Sequence, residues 1–165
     1  MMTAMSTLLI VYHSRTGGSR QMAEAAAEAA RAEGPAVLQR ADDATPDDLL
    51  AASGYLFCCP ENLAAIAGVM KDFFDRCYYP VLGRIEGRPY AQMICAGSDG
   101  ENAARQIKRI ATGWRLREVQ EPLIVCTHAQ TPEAILAEKT IPEDDLSRCR
   151  ELGAAMAAGL ALGVF

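Results

Sequence analysis

Between an apolar run that ends at Tyr12 and an alanine-rich segment around Met22, the chain reads His13-Ser14-Arg15-Thr16-Gly17-Gly18-Ser19-Arg20. Consecutive glycines let the backbone take positive φ and approach a ligand closely, so that successive N–H groups can face one anion. Ser14, Thr16 and Ser19 place three neutral hydroxyl donors around the same point. A helix beginning directly behind such a loop adds unpaired N–H groups and a favourable dipole. The chemistry permitted is the grip of a single terminal phosphate, with no lysine in the loop. The Gly-x-x-x-x-Gly-Lys of triphosphate sites and the Gly-x-Gly-x-x-Gly of pyrophosphate sites are both missing. Loops of this composition also serve merely to cap helices, and Arg15 reads equally as a phosphate contact or a solvated charge.

Two further segments could hold the rest of such a ligand. Pro60-Glu61-Asn62-Leu63 begins with a proline directly after an apolar run, which makes a rigid ledge of backbone donors and acceptors suited to the edge of a flat heterocycle. Ala96-Gly97-Ser98-Asp99-Gly100 offers two glycines for close backbone approach, and Asp99 taken alone reads as a turn or capping residue.

Other chemistries fit poorly. Two histidines, His13 and His128, without a third nearby ligand make no metal site, and each reads as structural. The six cysteines contain no Cys-x-x-Cys pair, so they are expected to be reduced core residues rather than a zinc, thioredoxin-type or disulfide framework. No Gly-x-Ser-x-Gly elbow supports a serine hydrolase. No cysteine is followed six residues later by the arginine that a phosphatase anion loop needs, and His13-Ser14 stands where a phospho-receiver domain would need acidic residues.

The elements that would position these loops follow from periodicity. Leu8–Tyr12, Tyr55–Cys59, Ala91–Ala96 and Leu123–Cys126 are continuous apolar runs, as in strands buried on both faces of a parallel sheet, and Ala36–Gln39 is a weaker run suited to an edge. Between them, Met22, Ala25, Ala26, Ala29 and Ala30, and again Met70, Phe73, Phe74 and Cys77, fall at helical spacing. Gly34-Pro35 ends the first helix, and Thr45-Pro46 opens another. Ser98 with Glu101, and Thr140 with Glu143, have capping-box spacing, and a last helix is expected from about Pro142 to Leu162. This alternation of strand and helix demands a parallel sheet covered on both faces, with any ligand beyond the carboxyl ends of its strands.

At 165 residues, with half of them apolar, the chain is expected to form one domain spanning 1–165. A net charge of −5 without a basic block disfavours nucleic acid and anionic membrane. Met1–Ser6 carries no basic region, and the run after it is too short for a signal core or a membrane span. A cytoplasmic location is expected.

Ser14-Arg15-Thr16-Gly17-Gly18-Ser19 resembles the phosphate loop Ser/Thr-x-Thr-Gly-x-Thr/Ser of flavodoxins and of flavodoxin-like FMN-dependent NAD(P)H:quinone oxidoreductases. Pro60-Glu61-Asn62-Leu63 and the helix containing Lys71-Asp72-Phe73-Phe74-Asp75-Arg76 are similar to that family's flavin loop and the helix behind it. The likeness runs from about Leu8 to Val125 and is weakest between Thr127 and Ile141. It implies a flavodoxin-like three-layer α/β/α sandwich around a five-stranded parallel sheet of order 2-1-3-4-5. It also implies an FMN held by Ser14, Arg15, Thr16, Gly17, Gly18 and Ser19 at the phosphate, and by Pro60, Glu61, Asn62, Leu63, Ala96, Gly97, Ser98, Asp99 and Gly100 around the ring and ribityl chain. No catalytic side chain is named, because the flavin carries the chemistry.

Electron-carrying members commonly sandwich the ring between aromatic side chains, and these loops have none. Tyr78, Tyr79 or Trp114 could reach it from elsewhere in this chain or in a partner. The resemblance therefore implies an oxidoreductase passing reducing equivalents from NAD(P)H to a quinone or similar small acceptor. The alternative is a non-enzymatic electron carrier that docks a redox protein. The apolar end Leu160–Phe165 is a candidate contact for a homodimer or higher homo-oligomer, or equally a segment buried within the monomer.

Overall fold

The computed structural model describes residues 5–165; the first part of the amino-terminal stretch expected to lack a targeting signal, residues 1–4, lies outside them. The apolar runs become strands: β1 (Leu8–Tyr12), β2 (Ala36–Arg40), β3 (Gly54–Asn62), β5 (Pro89–Ala96) and β7 (Leu123–Cys126). Two short strands join them, β4 (Ala65–Ile66) and β6 (Arg117–Glu118). The order is β2-β1-β3-β5, with β6 and β7 both paired to the outer side of β5. This is the expected 2-1-3-4-5 arrangement with its fifth strand in two pieces. Tyr90 faces Glu118 and Met93 faces Leu123, and Val119 still donates its N–H to the Tyr90 carbonyl, so the extra residues bulge out within Gln120–Pro122. A proline in that bulge forfeits no ladder hydrogen bond. All these pairings are parallel, whereas β4 folds back antiparallel on the end of β3.

The helices are α1 (Gly18–Arg31), α2 (Pro46–Ala51), α3 (Gly68–Val81), α4 (Glu101–Gly113), α5 (Pro132–Leu136) and α6 (Glu143–Leu162). Strand residues alternate between two cores, as the period of a strand dictates. Leu8, Ile10, Leu56, Cys58, Met93 and Cys95 face α1 and α6, while Leu9, Val11, Tyr55, Phe57, Cys59 and Ile94 face α3 and α4. The predicted stripes of α1 and α3 are buried as expected, except that Ala29 is only half-buried. Gly153 lets α6 lie directly on α1, because a Cβ there would overlap the backbone of Ala26.

Two arginines fasten the second layer. The Arg88 guanidinium donates to the carbonyls of Leu49, Leu50 and Ala52, closing the carboxyl end of α2, and Arg76 donates to the carbonyls of Ala41 and Ala44. Thr45 and Asp48 form the capping box of α2. The other two expected capping boxes do not form: Gly100 and Pro142 occupy the cap positions of α4 and α6, with no side-chain cap of their own. At the carboxyl end of the chain Leu160 is buried, and Leu162 and Val164 are exposed. Among the described residues no helix is long and apolar enough to cross a membrane.

Candidate functional site

The parallel register sets Tyr12 beside Cys58, and Pro60 beside Cys95, so the loops after β1, β3 and β5 emerge on one edge of the sheet. At the first of them Gly17, in the left-handed region at φ 93°, turns the chain into α1. The Gly17 N–H donates to Ser14 Oγ at 3.1 Å, which tightens the loop while leaving the hydroxyl proton free to point outward. Gly18 packs directly on β5, since a Cβ there would come within 2.6 Å of Cys95 Sγ. Ser19 is buried, and its Oγ has no hydrogen-bond partner among the described residues. Burying a polar atom unpaired costs about 1–3 kcal/mol, so an orphaned hydroxyl at a helix start, inside a hydroxyl-lined turn, fits a loop built for an anion. His13 stands beside this loop, and burial holds its imidazole below the usual histidine range against the opposing pull of Asp42.

The first loop contains no lysine, yet the fold brings one to it from the far end of the chain. Lys139 Nζ lies 3.3 Å from Thr16 Oγ1, and the Lys139 N–H donates to the Thr16 carbonyl at 2.8 Å. Gln21 on α1 holds this strand of chain from below. Its Nε2 donates to the Lys139 carbonyl at 2.6 Å, and its Oε1 accepts the Ile141 N–H at 2.9 Å. The Thr127–Ile141 stretch is where the sequence likeness is weakest, so Lys139 had no local signal. The only cue was Thr131-Pro132, an N-cap followed by proline, which opens α5.

The second loop is not a loop at its start. β3 continues through Pro60 and Glu61 to Asn62, then reverses over Leu63 and Ala64 into β4. Both turn residues have positive φ, 50° and 61°, as a tight two-residue hairpin demands, although neither is glycine or asparagine. The Glu61 carboxylate reaches across to α4, accepting the Gly100 N–H at 2.9 Å and the Ala103 N–H at 3.1 Å. It supplies the helix cap that Ser98 and Glu101 do not, and it locks the second loop to the third. Asp99 accepts the Glu101 N–H at 3.1 Å, the turn role that its position suggests.

A cavity of about 580 Å³ opens between these loops, lined by Arg15, Asn62, Leu63, Gly97 and Ser98, with Ala129, Ile135 and Leu136 closing the far wall. A smaller one of about 90 Å³ continues from it toward Thr16, between Pro60, Ala96, Thr127 and Lys139. A third, of about 260 Å³, lies outside the first loop against Ser14, Gly17, Arg40 and Asp42. Gly18, Ser19, Asp99 and Gly100 do not line these cavities. Gly18 acts as buried support, Ser19 keeps its unpartnered hydroxyl buried inside the turn, and Asp99 and Gly100 form the turn into α4. Ala129, Ile135, Leu136 and Lys139 are lining residues that the sequence pattern missed. No aromatic side chain lines the large cavity. Trp114 packs in the core on Phe73, Phe74 and Tyr78, and Tyr79 packs on Tyr78, so none of the three distant aromatics reaches it within this chain.

A flat ligand with a phosphate tail has matching features here: hydroxyls and amides at one end, backbone edges at the other, and a slot between them. Among the described residues no cluster suits a metal ion, and all six cysteines are free thiols.

No family model matches the chain. A flavodoxin of Aquifex aeolicus (strain VF5) is 30% identical over 170 residues, covering 97% of this chain and 90% of that one. An NAD(P)H dehydrogenase (quinone) of Acidithiobacillus ferrooxidans (strain ATCC 53993 / BNL-5-31) is 36% identical over 94 residues, which cover 44% of this chain and 47% of that one. Among solved structures, a flavodoxin from the domain Archaea superposes with a TM-score of 0.75 at 18% identity, covering 93% of this chain and 98% of that one, which shows the same fold. Likeness over nearly the whole length, together with the sheet order and the glycine-and-hydroxyl turn after β1, places the chain in the flavodoxin family.

Proposed function

We propose that this chain is one domain that binds FMN and works in the cytoplasm as an oxidoreductase, taking hydride from NAD(P)H and passing it to a quinone or similar small acceptor. The observation that carries the reading is the 580 Å³ cavity, where polar Arg15, Glu61, Asn62 and Ser98 meet aliphatic Leu63, Ile135 and Leu136 and no aromatic ring is present. FMN held there would supply the capacity to accept and donate a hydride.

The residues of this chain do the rest. Ser14, Thr16 and the buried hydroxyl of Ser19 offer neutral donors to the phosphate. The chain at Asn62 and Gly97 lines the cavity where the polar edge of the ring would lie, and backbone N–H groups facing it would favour negative charge on it. Leu63, Ile135 and Leu136, all at least half exposed, rim the cavity with aliphatic surface that suits a planar apolar substrate. Because no aromatic side chain of this chain lines the cavity, one face of a ring held there would be open to that second reactant.

A second reading, the non-enzymatic electron carrier that docks a redox protein, is supported by the likeness to the Aquifex aeolicus flavodoxin over 97% of this chain. Steady-state oxidation of NADH and NADPH by the purified protein separates the two. The reductase reading expects sustained turnover with a soluble quinone and no added reductase. Reduction only after a separate reductase is supplied would leave the carrier.

A further inference from the structure

We infer that Lys139, delivered by the chain between β7 and α6, is the cationic contact for the phosphate of the flavin and sets the preference for FMN over riboflavin. This rests on the reading that the chain binds FMN. The family resemblance supplies a phosphate loop of neutral donors, and the lysine lies outside it, 123 residues along the chain from Thr16.

Position is the first argument. Lys139 Nζ stands 3.3 Å from Thr16 Oγ1, and the side chain lines the small cavity that Thr16, Ala96 and Thr127 also line. Backbone pairing to Thr16 and the two-pronged grip of Gln21 fix the Cα from both sides, and hydrogen bonds to Thr16 Oγ1 and to the Ile135 and Ala137 carbonyls hold the ammonium at the end of the side chain.

Charge is the second argument. The ammonium donates only to neutral oxygens: Thr16 Oγ1, the Ile135 carbonyl at 2.8 Å and the Ala137 carbonyl at 2.6 Å. Among the described residues it forms no ion pair, although it is half-buried. Every other lysine of the described residues, Lys71 and Lys108, has a carboxylate partner. A held cation without a counter-charge, beside a turn whose buried Ser19 hydroxyl is also unpartnered, is the complement of a phosphate. Hydrogen bonds to charged groups are worth more than neutral ones, commonly enough for a tenfold change in affinity or more.

The test is titration of the apo-protein with FMN and with riboflavin, followed by quenching of flavin fluorescence, for the wild type, Lys139→Met and Lys139→Arg. The expected result is that wild type prefers FMN, and that Lys139→Met weakens FMN by about tenfold or more while riboflavin is held as before. Lys139→Arg should keep most of the preference. Raising salt should weaken FMN more for wild type than for Lys139→Met. An unchanged ratio of the two affinities in Lys139→Met, or an equal loss of both flavins, would overturn the role given to Lys139 while leaving FMN binding intact. Wild type that takes up neither flavin would overturn the functional reading itself.

Discussion

Gly18 has no room for a methyl group: a Cβ there would meet Cys95 Sγ at 2.6 Å, so the first turn of α1 rests on β5 through a glycine against a sulfur. Gly18→Ala should push the loop outward and weaken FMN by about tenfold, the loss expected when a donor set slips out of hydrogen-bond range. Removing the sulfur should give the space back, so that Gly18→Ala with Cys95→Ala regains affinity that Gly18→Ala alone has lost. Fluorescence titration of the two variants and of Cys95→Ala checks the cycle, and strict additivity of the two effects would deny the contact. What could be read from the chain alone at this scale divides by sequence distance. That Ser14, Thr16, Gly17 and Ser19 share one turn is legible because they lie close together in the chain. The helix-capping role of Glu61 and the arrival of Lys139 at Thr16 are not, since each depends on which strands become neighbours.

The hairpin that joins β3 to β4 is the element whose sequence agrees least with its shape. Leu63 and Ala64 both sit at positive φ, where an L side chain costs about 1–2 kcal/mol, and Leu63 recovers nothing by burial because it is fully exposed at the rim of the large cavity. Replacing the pair by Asn-Gly should raise stability by about 1–2 kcal/mol, read as a higher midpoint in urea. An unchanged midpoint would mean that the turn carries no strain. Strain retained at an exposed apolar tip beside the large cavity makes Leu63 a candidate functional position. Pro60 misled the expectation of a strand end, because a proline is tolerated in β3 and the strand continues to Asn62. The short β4 and β6 had too few residues to show a period. The longer elements were legible: three of the continuous apolar runs became the inner strands β1, β3 and β5, while Leu123–Cys126 became the half-buried edge strand β7, and the spacing of Met22 and of Phe73 gave the buried faces of α1 and α3.

Over the whole molecule, two cores on opposite faces of one sheet enclose five of the six thiols. Burial pushes the thiols of Cys59 and Cys149 up to about 12 and that of Cys95 up to about 11, and it raises Cys58, Tyr55 and Tyr90 as well. These groups keep their protons in the folded chain at pH values where the unfolded chain has released them, so the folded state binds more protons above the ordinary thiol range. Stability should therefore be level from pH 7 to about 8 and fall as the pH climbs from about 9, since unfolded thiols titrate near 8.5. Urea midpoints across that range check the slope, which should flatten in Cys59→Ala and Cys149→Ala; a midpoint rising with alkali would contradict the burial. The parallel sheet and the position of the loops at one edge followed from the alternation of strand and helix, and the strand order from the family resemblance, whereas the large cavity needed α5, a five-residue helix in the least recognisable part of the chain. The most direct measurement for the account is titration of the apo-protein with FMN, read by visible absorption and by quenching of flavin fluorescence, in wild type and in Thr16→Glu/Ser19→Glu. One equivalent of FMN taken up by wild type and none by the acidic variant, with both folded by circular dichroism, is the predicted result. FMN bound equally by the two proteins would contradict a phosphate gripped by the turn after β1.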